Sequence, residues 1–201
     1  MLIPEEDYFA VFGLARRMSL DLADLEKRFH SLSRKRHPDN FYRASQEEQE
    51  LSLEQSARLN DAYRTLRDPA VRAEYLLSLE GQQVEKKGSA VPPELLEEVF
   101  ELREWLAELR ATASAKEQNA HRAEVQQQLT RAKANLEQRL ESFLAELQTL
   151  FSRWDQTLAA GCSQAERAAI IESMGKVLAS RKYLQKLVEE ISIVLEGTAA
   201  R

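Results

Sequence analysis

The residues best placed to do chemistry stand together in "SRKRHPDNFY", residues 33–42, where basic side chains run into His37, Pro38 and Asp39. An imidazole and a carboxylate two positions apart could move a proton, but catalysis also needs a nucleophile or a second base in evident reach, and none is. Pro38 points elsewhere. Its ring disfavours helix at His37 and limits the entropy lost when a partner grips an exposed turn. Lys27, Arg28, Arg34, Lys35 and Arg36 precede the triplet, with no acidic residue between positions 27 and 36. Such a face can steer and orient an acidic surface. The triplet reads as a recognition element, with a plain solvated helix and an ordinary turn histidine as the alternative.

Other chemistry finds little footing. Cys162 is the only cysteine, which excludes an intrachain disulfide and a multi-cysteine zinc site. His30 and His121 lack neighbours of metal-ligand type, and no glycine loop could cradle a phosphate. The expectation is a protein that is not an enzyme and holds no cofactor or metal. A net charge of −5 over 201 residues gives no global footprint for nucleic acid. No apolar run approaches the ~20 residues of a membrane span, and "MLIPEEDYFA" lacks the features of a signal or transit peptide, so the expected location is the cytoplasm.

The elements that position the triplet are all helical. Six Gly, five Pro and long tracts of Ala, Leu, Glu, Gln, Lys and Arg leave little of the punctuation that strands need. "DYFAVFGL" (7–14) predicts a short helix closed by Gly13. Asp21 caps a second helix, in which Leu22, Leu25, Phe29 and Leu32 repeat at helical spacing until Pro38 stops it. A third carries Ser56, Leu59, Tyr63 and Leu66 on one side, and Asp68-Pro69 opens a fourth that ends at Gly81. Residues 1–81 thus form a small domain with the triplet at the turn of an antiparallel helix pair. "GQQVEKKGSAVPP" supplies a linker, 82–93. Residues 94–201 predict a three-helix bundle, with stripes that begin at Leu95, Leu129 and Ile170. Trp105 and Trp154 are read as packing residues.

The triplet, its basic helix and the helix order resemble the J domain, the module through which co-chaperones engage DnaK-type ATPase chaperones and accelerate their ATP hydrolysis. The resemblance implies that His37, Pro38 and Asp39 meet the chaperone, with Lys27, Arg28, Arg34, Lys35 and Arg36 as the basic face. Asn40 stands where lysine is common in that family. "RAEYLLSLEG" (72–81) and "ELREWLAEL" (101–109) carry a further resemblance, over nearly the whole chain, to the HscB family of iron–sulfur cluster assembly. That resemblance implies two partners: an HscA-like DnaK-type chaperone and an IscU-like scaffold protein that carries the cluster. It also implies a scaffold-binding surface of Leu96, Phe100, Glu101, Glu104, Glu108 and Tyr183. By spacing alone, positions 96, 100, 104 and 108 line one helix surface, off the core stripe of Leu95, Val99, Leu102 and Leu106. Leu96 and Phe100 either widen that stripe or form an exposed patch. Residues 112–136 run longer than the corresponding family segment, and an extended hairpin between bundle helices would accommodate them. The expected state is a monomer, with a dimer through that hairpin as the alternative.

Overall fold

The computed structural model describes residues 7–82, 91, 95–111, 119–160 and 163–199. Among these, regular structure is entirely helical: α1 (Tyr8–Val11), α2 (Leu22–Arg36), a 3-10 turn (Pro38–Phe41), α3 (Gln46–Arg67), α4 (Pro69–Leu79), α5 (Leu96–Ala111), α6 (Asn119–Ala160) and α7 (Gln164–Ala199). The all-α class holds. Cys162 and most of the expected linker 82–93 lie outside the described residues.

The signals that start and stop the first helices are met by specific bonds. The Asp21 carboxylate accepts from the N–H groups of Ala23 and Asp24, and Asp68 does the same for Ala70 and Val71, with Pro69 in the first turn where no N–H is needed. Ser45 and Glu48 form a reciprocal capping box at the start of α3. Gly13 and Gly81 take positive φ angles of 64° and 76° just past α1 and α4. There Leu14 N–H donates to the Phe9 carbonyl and Gln82 N–H to that of Leu77, closing both helices with the left-handed residue that glycine alone adopts cheaply.

Packing divides the chain into two compact units, Met1–Gln82 with Leu147–Met174 and Gln83–Glu146 with Gly175–Arg201. This differs from the division at 82–93 read from the sequence, because α6 and α7 take part in both units. The physical reason is length. At about 1.5 Å per residue, α5 covers roughly a third of the length of α6, so the apolar residues near the α6 C-terminus need another partner.

In the first unit they find it in the α1–α2 connection. Met18 is fully buried, its N–H and that of Ser19 donate to the Asp155 carboxylate at 2.7 and 2.8 Å, and Trp154 Nε1 donates to the Arg16 carbonyl. Arg72 is only 4 % exposed; its guanidinium donates to the Leu66 carbonyl and lies over the Phe151 ring. Burial lowers its pKa, partly offset by the charges of Asp68 and Asp155. Tyr75 stacks on Tyr8, with ring centroids 4.6 Å apart, and its hydroxyl accepts from the Tyr8 N–H, which ties α1 to α4. Burial raises the Tyr75 pKa.

In the second unit, Leu95, just before α5, and Val99, Leu102, Leu106 and Leu109 of α5 face Val125, Leu129 and Leu136 of α6 and Leu184, Leu187 and Ile191 of α7. Of the stretch 112–136, where the sequence predicts an extended hairpin between bundle helices, residues 112–118 lie outside the described residues. From Asn119 onward this stretch is the first part of α6, and Val125, Leu129 and Leu136, four and seven apart, bury it against α5. Two residues that fall on the apolar stripes of the sequence, Leu22 of α2 and Leu158 at the end of the stripe that begins at Leu129, are instead on the surface, 46 % and 36 % exposed.

Candidate functional site

His37 leaves α2 with an extended backbone (φ −62°, ψ 132°), as the residue before a proline prefers, and Pro38 opens the 3-10 turn. The turn is held from behind. The Arg36 carbonyl accepts from Ser52 Oγ at 3.0 Å and Ser56 Oγ at 2.8 Å, which pins the end of α2 to α3. Asn40 Nδ2 donates to the Arg34 carbonyl at 2.7 Å, satisfying one of the orphan acceptors at the helix end. Within the triplet, His37 Nδ1 accepts from the Asp39 N–H at 3.3 Å and lies 3.4 Å from its carboxylate. The His37 side chain is 54 % exposed and that of Asp39 87 %. The arrangement presents an exposed imidazole and an exposed carboxylate in a fixed relation, with no nucleophile hydrogen-bonded to either among the described residues.

The five basic residues are not equivalent. Lys27, Arg34 and Lys35 are exposed and enter no ion pair among the described residues. Arg34 Nε turns back to the His30 carbonyl, and Arg36 is half-buried. Arg28 bonds the Asp24 carboxylate at 2.7 Å and the Phe12 carbonyl at 3.1 Å. Its charge is locally balanced and its guanidinium braces the end of α1, so the free part of the face is narrower than the sequence implied. Four supports gave no local signal in the sequence: Ser52, Ser56, Asn40 and Gln49, the last donating to the carbonyls of Tyr42 and Ala44.

On α5, Leu96 is 55 % and Phe100 65 % exposed, so the exposed-patch reading holds over the wider-core one. Glu101 and Glu104 are exposed beside them. Glu108 is half-buried and its carboxylate meets His121 Nε2 of α6, so His121 is not isolated. Among the described residues no cluster of three His, Cys, Asp or Glu could hold a metal ion. Tyr183 is half-buried and packs against the core of this unit. Its hydroxyl is buried with no hydrogen bond of good geometry. Arg103, exposed on α5, is its electrostatic neighbour, and proximity to that hydroxyl raises the arginine's pKa. Tyr183 therefore borders the α5 face as a packed residue, with Arg103 at the junction.

Residues 7–75 match the DnaJ domain family, which defines the class: a J-domain protein with a helical C-terminal part. The chaperone HscB from Vibrio cholerae is 31 % identical, with a TM-score of 0.56, and the alignment covers 96 % of this chain and 99 % of that one. Human co-chaperone protein HscB is 26 % identical with a TM-score of 0.64, covering 96 % and 83 % of the two chains. Curated co-chaperone protein HscB homologs from two strains of Vibrio cholerae are 43 % identical over 108 residues, a match of 53 % of this chain and 63 % of theirs. The matched segment thus spans less than two thirds of those relatives. The chain belongs to the HscB family.

Proposed function

We propose that this protein is a non-enzymatic co-chaperone with two partners. It binds an iron–sulfur cluster scaffold protein of the IscU type and presents it to an HscA-like DnaK-type ATPase chaperone. His37, Pro38 and Asp39, with Lys27, Arg34 and Lys35 beside them, engage the chaperone and stimulate its ATPase. Leu96, Phe100, Glu101 and Glu104 receive the scaffold, with Glu108 and Tyr183 at the margin of that surface. Residues 1–81 act as the J domain and 94–201 carry the scaffold site; the protein works in the cytoplasm as a monomer, without a cofactor.

The observation that carries this reading is the exposed, braced His-Pro-Asp turn. A turn that is already ordered loses little entropy when gripped, and cationic side chains alongside speed encounter with an acidic partner. On α5, two large apolar side chains in an acidic frame have the composition of a modest protein interface. The test is single-turnover ATP hydrolysis by the DnaK-type chaperone, with this protein and with or without scaffold. Stimulation should rise further when the scaffold is added, and His37→Gln should abolish it while helical content is unchanged. Stimulation indifferent to the scaffold would keep the chaperone half and reject the client.

A further inference from the structure

We propose that Tyr42 and Arg43 form a second contact with the ATPase chaperone, beside the His-Pro-Asp turn, in which a pre-organised aromatic–guanidinium pair docks on an acidic surface with an apolar centre. The proposal rests on the J-domain reading. Tyr42 follows the 3-10 turn directly and is 64 % exposed. Its backbone is fixed: Gln49 Nε2 donates to the Tyr42 carbonyl at 3.2 Å and to that of Ala44 at 3.0 Å, and the Ala44 N–H donates to the Phe41 carbonyl at 2.9 Å. Arg43, also exposed, lies with its guanidinium carbon 5.0 Å from the Tyr42 ring centroid, and its Nε donates to the Tyr42 hydroxyl.

This bond uses one of the five guanidinium donors and leaves the two terminal amino groups to a partner. The ordering cost of two large side chains is thereby met before any partner arrives. With most of its ring in water, Tyr42 adds little to folding through burial. Leu53, one helical turn beyond Gln49 on the same side of α3, is a further large apolar side chain, 58 % exposed.

Size decides the partner. A specific interface covers about 800 Å² on each side, roughly 20–30 residues, which a three-residue turn cannot supply. Any protein that grips His37 and Asp39 must extend over neighbouring surface, and Tyr42 and Arg43 are the large, exposed, mutually ordered side chains three to four residues on. Tyrosine and arginine are also the residue types that most often dominate binding energy at such centres.

The experiment titrates the DnaK-type chaperone with the full chain carrying Tyr42→Ala, Arg43→Ala or Arg43→Glu, with His37→Gln in parallel, at low and high salt. Tyr42→Ala should raise the concentration for half-maximal ATPase stimulation about tenfold, leaving the maximum unchanged. Arg43→Glu should do the same, with a larger shift at low salt than at high. Circular dichroism and thermal melts of the three variants should match the parent. Half-saturation within twofold of the parent for Tyr42→Ala and Arg43→Glu, with stimulation still lost in His37→Gln, would overturn the second contact alone. A fall in the maximum with no shift in half-saturation would overturn it too, since docking would then be intact. Full stimulation by His37→Gln would reject the J-domain reading itself, and this proposal with it.

Discussion

Asp155 is a single side chain far along α6 whose loss should be felt at the start of the chain. Its two carboxylate oxygens accept from the N–H groups of Met18 and Ser19. Hydrogen bonds to a charged acceptor are worth roughly 1.5–3 kcal/mol where water is excluded, and much less where water can substitute. Met18 is fully buried and Ser19 exposed, so the Met18 bond should carry most of the effect. Arg72 would also lose one of the two charges that offset its burial. Together these put Asp155→Ala at about 2–3 kcal/mol of local destabilisation, and Asp155→Asn, which keeps one acceptor oxygen, at about half of that. Because α6 enters two units, a global melt would mix their responses, and amide hydrogen exchange read by NMR is the sharper assay. Protection of the Met18 amide should fall by about 30- to 150-fold in the Ala variant and less in the Asn variant. A change of under threefold would refute the reasoning, and would mean that water satisfies the Met18 N–H as well as Asp155 does.

Other perturbations give equally definite expectations. Replacing Leu96 and Phe100 together by Ala should change stability by less than about 1 kcal/mol, because both are exposed, while weakening capture of the scaffold at least tenfold in a calorimetric titration. Burial alone would raise the Asp7 pKa, but bonds from Ala10 N–H, Arg16 and Phe9 N–H outweigh it and hold the carboxyl below its ordinary 3.8. The ionised group therefore stabilises the fold above pH 3.8, and that contribution fades as pH falls through the lower folded-state value. Chemical denaturation should accordingly show Asp7→Asn weaker than the parent near neutrality, with the gap closing in acid. Gly81→Ala, which forces a side chain into the left-handed region, should cost about 1 kcal/mol in urea unfolding, though its Cβ would meet no atom within 4 Å.

The parts of this molecule that could be read from the chain are those whose causes are local. Asp21, Asp68, Pro69, Gly13 and Gly81 act within a turn of where they stand, so helix ends were legible. Leu59 and Leu66, or Leu102, Leu106 and Leu109, repeat at the helical period, so buried faces were legible too. The brace formed by Trp154, Asp155 and Arg72 was not, because it joins residues up to 138 positions apart and nothing in their neighbourhoods marks the pairing. Leu129 and Leu136 open the second bundle stripe and were legible as helix, whereas Val125 stands alone among Ala, Gln and Lys, and nothing local marked it as buried. At the candidate site, residue types identified the triplet, but only geometry showed that Arg28 is engaged elsewhere and that Asn40 closes the end of α2.

The Arg36 carbonyl, held by two serine hydroxyls from successive turns of α3, has a consequence for how variation would be tolerated at this position. Either bond alone can keep the end of α2 in place, so Ser52→Ala and Ser56→Ala should each pass unnoticed in a growth or activity screen. The combined change would leave the carbonyl dependent on water and let the following turn wander, a loss larger than the sum of the two. Such duplication hides importance from one-at-a-time mutagenesis. A survey of single replacements would score both serines as dispensable, and only the pairwise map would expose the support they share.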